Sequence, residues 1–217
     1  MKTRIYCLGD SVTRGFGAEQ GGGVPYPTYL QEKLNQAYGD GVVMVRNGGR
    51  DGYGAQKNTV FPACDGVGSG YYGKDSNWQD IVDFAPDIVI FSIGGNNAKI
   101  IGDEKSWVDT ATFRADYREL LERTLALPTQ PQVIVGTSTG VKGAGNFGVS
   151  PSVVAENIVP VQREVAAELA LELVDGFALS QSFLENGFHT DNVHLNAVGY
   201  EKLAQLYFTY IFTRNIL

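Results

Sequence analysis

The sequence predicts an α/β domain with a parallel sheet covered by helices on both faces, and two observations carry that reading. Short apolar runs recur along the chain at Arg4 to Leu8, Val42 to Arg46, Asp87 to Ile93, Gln132 to Gly136 and Leu171 to Val174. Runs this short, with little alternation between apolar and polar positions, are the pattern of strands buried on both faces. Between most of them lie longer stretches with helical spacing, and strand alternating with helix is the signature of parallel crossovers.

The helical stretches are Tyr26 to Ala37, Phe113 to Ala126, Ser152 to Leu169 and Ala197 to Phe212. Pro151 and Asn196 stand where a helix start favours their types, proline in the first turn and asparagine as an N-cap. One stretch breaks the pattern. Arg50 to Ser76 is glycine-rich, holds Tyr53, Phe61, Tyr71 and Tyr72, and follows the second strand. Loops beyond about 12–15 residues are uncommon and often functional. In an open parallel sheet, ligands bind beyond the carboxyl ends of the strands, where this loop begins.

Composition narrows the function classes. The 217 residues, 43% of them hydrophobic, are enough for a core and are expected to form one domain spanning residues 1–217. A net charge of −7 speaks against a nucleic-acid partner, whose backbone is bound chiefly through Lys and Arg. No run of about eighteen apolar residues suggests a membrane span, and the start at Met1-Lys2-Thr3-Arg4 has no signal-peptide core. The default expectation is therefore cytoplasmic, with secretion or a periplasmic site open if a leader has been removed. The oligomeric state is not set by the sequence. Cys7, inside the first apolar run, reads as a small buried hydrophobe, and with Cys64 it makes neither a metal-spaced pair nor a disulfide framework.

The chemistry-bearing residues gather at strand ends. Gly9-Asp10-Ser11-Val12-Thr13 closes the first strand and puts a hydroxyl at the sheet edge. A serine nucleophile needs a neighbouring imidazole to take its proton, and that imidazole needs an acceptor to fix its tautomer. The chain has two histidines, both in His189-Thr190-Asp191-Asn192-Val193-His194, and the three-residue offset of Asp191 and His194 suits one tight or helical turn. A metal site using both histidines and Asp191 is the rival reading, without a further spaced ligand to support it. An incidental surface turn is the other. Gly94-Gly95-Asn96-Asn97 follows the third strand and offers a side-chain amide to a developing oxyanion. Asn47-Gly48-Gly49-Arg50-Asp51-Gly52 brings backbone N–H groups to the same edge.

These four pieces, in this order, resemble the sequence blocks of the SGNH hydrolases, also called the GDSL family. The resemblance covers nearly the whole chain. It implies a flavodoxin-like, three-layer αβα sandwich around a five-stranded parallel sheet. It further implies catalytic roles for Ser11, Asp191 and His194, and an oxyanion hole of Ser11, Gly52 and Asn96. Asn97 departs from the pattern, which usually has Asp there, and Val12 stands where leucine or isoleucine is frequent.

Gly136-Thr137-Ser138-Thr139-Gly140 also satisfies the Gly-x-Ser-x-Gly elbow of a different hydrolase fold. That elbow must turn at once into a helix, whereas Val141 to Gly148 contains three glycines and no apolar period.

The expected mechanism is ester hydrolysis through an acyl-enzyme on Ser11, with no cofactor and no metal. The stretches Tyr26-Pro27, Asn96 to Lys99 with Trp107, and Asp191 to Asn196 resemble bacterial carbohydrate acetylesterases most. Aromatic side chains offer an amphipathic surface to a sugar, so Tyr53, Tyr71, Tyr72 and Trp107 are candidate substrate contacts. A long acyl chain needs several adjacent aliphatic side chains, and near the third block only Ile100 and Ile101 offer a pair. An acetyl ester on a carbohydrate is the expected substrate. Lysophospholipase or thioesterase activity is the alternative within the enzyme class, and a carbohydrate-binding protein with an inactive hydrolase fold is the alternative outside it.

Overall fold

In the computed structural model, residues 2–57, 70–101, 104–105, 109–143, 147–187 and 189–217 are described. Five parallel strands form the central sheet: β1 (Thr3–Gly9), β2 (Val43–Gly49), β3 (Ile88–Ser92), β6 (Gln132–Gly136) and β7 (Glu172–Val174). Two short antiparallel strands, β4 (Ile100–Ile101) and β5 (Glu104–Lys105), pair beside it. The sheet order is β2-β1-β3-β6-β7. This is the flavodoxin-like order, and its topological switch point lies between β1 and β3. The five expected strands and the expected αβα layering are both present.

Burial explains why β1 reads as an unbroken apolar run. Ile5 and Cys7 point into the core cluster on one face, and Tyr6 and Leu8 into the cluster on the other. Burial pushes the Cys7 thiol up to about 12, so it stays protonated and inert. After β1 come a single helical turn, α1 (Ser11–Arg14), and then α2 (Tyr26–Tyr38). The buried face of α2 includes Tyr26, Leu30 and Leu34. It packs beside α8 (Ala197–Thr213), whose Tyr200, Leu203, Ala204, Tyr207 and Ile211 follow the spacing of one helical stripe. The rings of Tyr26 and Tyr207 stack with centroids 5.2 Å apart.

The opposite face is covered by α3 (Asp75–Phe84), α4 (Thr110–Leu125) and the helical stretch that begins at α5 (Pro151–Val153). That stretch was expected to run as one helix from Ser152 to Leu169. Instead a π turn over Val154–Ile158 separates α5 from α6 (Val159–Glu168). Pro160 has no N–H to offer the carbonyl four residues back, and the wider turn accommodates it. The starts agree with the sequence: Pro151 occupies the first turn, and Asn196 Oδ1 accepts from Gly199 N at 3.1 Å. The periodicity missed α3, a ten-residue helix beside the glycine-rich loop, and α7 (Gly176–Asn186). Among the described residues no helix is long and apolar enough to cross a membrane.

Close approach at the carboxyl edge sets the position of α1. A Cβ on Gly49 would lie 2.1 Å from the Arg14 backbone nitrogen, and one on Gly9 would lie 2.6 Å from the Ser92 carbonyl oxygen. Backbone cannot yield as a flexible side-chain tip can. Gly49→Ala is therefore expected to destabilise the protein by about 1–3 kcal/mol, the usual size of an overpacking effect, measured as a lower urea midpoint.

Candidate active site

The site is assembled at the switch point from the ends of three strands and one loop. Asp10 caps α1, its Oδ1 accepting from Val12 N at 3.0 Å, and so fixes Ser11 as the first helical residue beyond β1. The loop between α7 and α8 brings the imidazole. His194 Nε2 lies 2.8 Å from Ser11 Oγ, and His194 Nδ1 lies 2.9 Å from Asp191 Oδ2. Asp191 also braces its own loop, because Oδ1 accepts the N–H groups of Val193 and His194 at 2.7 Å each. Thr190 N donates to His194 O at 2.9 Å, which closes the turn.

The electrostatics follow from these partners. Burial lowers the pKa of His194 below the ordinary histidine range and outweighs the opposing pull of Asp191. For Asp191, burial pushes upward, but hydrogen bonds from the His194 N–H, the imidazole and the Val193 N–H prevail and hold the carboxyl below the usual range. Asp10 is pushed up to about 6 by burial, against the Val12 N–H and the charge of Lys99.

Asn96 sits in a 3₁₀ turn (Gly95–Ala98) after β3, and Gly52 follows β2 with φ at +77°, a conformation that favours glycine. Asn96 Nδ2 donates to Tyr53 O at 2.9 Å, which orients the amide. Ser11, Gly52, Asn96 and His194 all line the outer lobe of one cleft, together with Phe16 and Phe147. Ser11 and Asn96 also reach an inner lobe walled by Val12, Val141, Val149 and Val154. The cavity volumes are about 60 Å³ for the outer lobe and 30 Å³ for the inner.

Ser138 also borders the inner lobe and bonds to Gln162. Its Oγ accepts from Gln162 Nε2 at 3.0 Å and its N–H donates to Gln162 Oε1 at 2.9 Å. Among the described residues after Ser138, no α-helix begins before Pro151. His189 stands apart, with Nε2 3.3 Å from Gly140 O.

The aromatic candidates separate. Tyr72 is 0% exposed with its hydroxyl donating to Gly48 O at 2.5 Å, and Tyr53 is 3% exposed, so both rings belong to the core and present no face to a ligand. Tyr71 is partly buried against the same cluster, and Trp107 lies outside the described residues. The rings in the cleft are Phe16 and Phe147, whose centroids lie 4.4 and 4.8 Å from that of His194. The sequence reading missed both, as it missed the wall of valines drawn from separate segments. A lone aromatic in each glycine-rich loop was the only signal.

The chain belongs to the GDSL-like lipase/acylhydrolase family, whose description matches residues 7–202. An acetylxylan esterase of Xylanibacter ruminicola is 26% identical over 222 residues, covering 94% of this chain and 42% of that protein. The chain thus spans less than half the length of that relative. The fold is shared with a carbohydrate acetylesterase family member from Sinorhizobium meliloti (TM-score 0.73, 20% identity, all of both chains covered). It is also shared with an acetylxylan esterase from Geobacillus stearothermophilus (TM-score 0.71, 19% identity, 96% of this chain and 94% of that one).

The His194 environment has a direct test by NMR of the imidazole ring, with His189→Gln to assign the signals. His194 is expected to titrate below about 6.5, the unperturbed value. Asp191→Asn removes the partner that favours the imidazolium, so it should lower the midpoint further.

Proposed function

We propose that the protein is a serine esterase acting through an acyl-enzyme on Ser11, and that it removes acetyl groups from O-acetylated carbohydrates. The observation that carries the mechanism is the continuous chain Ser11 Oγ, His194 Nε2, His194 Nδ1, Asp191 Oδ2, with links of 2.8 and 2.9 Å. His194 takes the hydroxyl proton as Ser11 Oγ attacks the ester carbonyl carbon. The N–H groups of Ser11 and Gly52 and the Asn96 amide receive the oxyanion. Collapse breaks the bond to the alcohol oxygen, which leaves with the proton from His194. Water, deprotonated by the same imidazole, then attacks the acyl carbon and frees Ser11 and the acid. Because His194 must be neutral to start, its lowered pKa keeps the base competent below the ordinary histidine range.

The inner lobe supports a short acyl group. A held water needs about 10–15 Å³ of such space, so 30 Å³ amounts to a few atoms. Space of that size suits a methyl group better than a long alkyl chain. The valine walls suit an apolar group of that size. A carbohydrate leaving group is supported by the phenyl faces of the outer lobe and by the named acetylxylan esterase relative.

Ser11→Ala is expected to lower turnover on p-nitrophenyl acetate by several orders of magnitude and to abolish fluorophosphonate labelling. His194→Ala should cost about as much, with the double variant little worse than either. Ser138→Ala should cost far less than Ser11→Ala, and comparable losses from the two serines would overturn the assignment.

Specificity constants on p-nitrophenyl acetate, butyrate and octanoate should fall in that order. A maximum at octanoate would replace the acetylesterase reading with a lipase-like one.

A further inference from the structure

The outer lobe contains a carboxylate that the steps of ester cleavage leave unused. Asp51 directly precedes Gly52 and lines the lobe with Phe16, Lys99, Phe147 and His194. It is held from one side only. Arg14 Nε donates to Asp51 Oδ1 at 2.5 Å, and the Arg14 guanidinium carbon lies 5.7 Å from the centroid of the Phe16 ring. Among the described residues, Asp51 Oδ2 accepts no protein hydrogen bond, and the side chain is 25% exposed.

Charge and shape together restrict what this carboxylate meets. A carboxylate standing alone between two phenyl rings would select a cation. Here Arg14 pairs with it, and Lys99 carries a second positive charge on the same lobe, so the local charge does not favour a cationic ligand. What remains is a neutral group that donates a hydrogen bond and has an apolar face for Phe16 and Phe147. A sugar ring with a free hydroxyl meets both requirements, and a hydrogen bond to a charged acceptor is among the stronger ones. Ser11 lines the same lobe, so the acceptor and the serine face one cavity.

We propose that Asp51, oriented by Arg14, accepts a hydrogen bond from a free ring hydroxyl beside the ester, so that the outer lobe selects O-acetylated pyranosides with an unsubstituted neighbouring hydroxyl. This rests on the reading of Ser11 as nucleophile. Asp51 also bears on His194, since its charge favours the imidazolium. Removing that charge shifts the acidic limb for every substrate alike. The selectivity between substrates at pH 8, where His194 is neutral in all forms, isolates binding from this effect.

The experiment compares p-nitrophenyl acetate with methyl β-xylosides acetylated at O2 or at O3, and with the analogue of each that lacks the neighbouring hydroxyl. In Asp51→Ala, the ratio of kcat/KM on the better xyloside to that on p-nitrophenyl acetate is expected to fall about tenfold or more, chiefly through KM. Asp51→Asn keeps an acceptor oxygen and should recover part of the ratio. The wild-type enzyme should cleave the deoxy analogue about tenfold less efficiently than its parent, and Asp51→Ala should add little to that loss. A ratio within twofold of wild type in Asp51→Ala would overturn the proposal, as would a deoxy analogue that Asp51→Ala slows as much as its parent. The wild-type comparison of parent and deoxy esters needs no variant, and equal rates there would overturn it too. Failure of the underlying reading would look different: Ser11→Ala would keep its turnover on p-nitrophenyl acetate, whatever the xyloside ratio did.

Discussion

The 2.8 Å contact between Ser11 Oγ and His194 Nε2 joins residues 183 positions apart, and much of the fold serves to hold it. Neither residue can find the other locally. Ser11 is fixed by the end of β1 and by the Asp10 cap, so its place is set by the middle of the sheet. His194 is fixed by the loop ahead of α8, and α8 is seated against α2 by the stacked Tyr26 and Tyr207 rings. Two further bonds cross the gap near the site. Tyr200 Oη donates to Phe16 O at 2.8 Å, and Thr190 Oγ1 lies 3.4 Å from Gly17 O. Each ties the histidine loop or its helix to the segment after Ser11, so a small shift of α8 is resisted before it reaches the imidazole.

The same closeness produces the electrostatic character of the cleft. Asp51, Lys99 and Asp191 all bear on one buried imidazole, and they pull in opposite directions. Asp191 and Asp51 favour its charged form, while burial and Lys99 oppose it. Burial wins, and the pKa of the histidine falls below its ordinary range. Asp10 shows the cost of the arrangement. To cap α1 it must sit next to Ser11 with little water, which raises its carboxyl to about 6.

Much of this architecture is legible in the sequence because buried parallel strands have a simple signature. Ile5–Leu8 of β1 and Ile88–Phe91 of β3 form unbroken buried runs since both faces are covered, and the strand ends carry the polar residues that cannot be core. What periodicity could not resolve is direction. Tyr53 and Tyr72 in a glycine-rich loop look the same whether they point to solvent or to the core, and here Tyr72 reaches in to bond Gly48 O. Phe147 has the opposite history, a lone ring in a polar segment that lands on the imidazole. The inner wall was hidden for a related reason. Val12, Val141, Val149 and Val154 become neighbours only through the sheet topology, so a search for adjacent aliphatic pairs could not find them.

Asn97 shows how a departure from a family pattern is absorbed by its surroundings. An aspartate at this position, 2% exposed, would place a charge in a nearly dry site. The amide spreads its bonding over two partners instead. Its Oδ1 accepts from Ala55 N at 2.8 Å, as a carboxylate also would, while its Nδ2 donates to Gln56 Oε1 at 3.2 Å, which a carboxylate could not do. Gln56, itself buried, therefore gains a donor that an ionised aspartate would deny it. Both bonds anchor the chain just after Gly52 and Tyr53, and Tyr53 O in turn orients the Asn96 amide. The exchange of Asp for Asn thus leaves the hold on the Asn96 amide intact. It does so by pairing two neutral amides where a buried charge would otherwise need a cation.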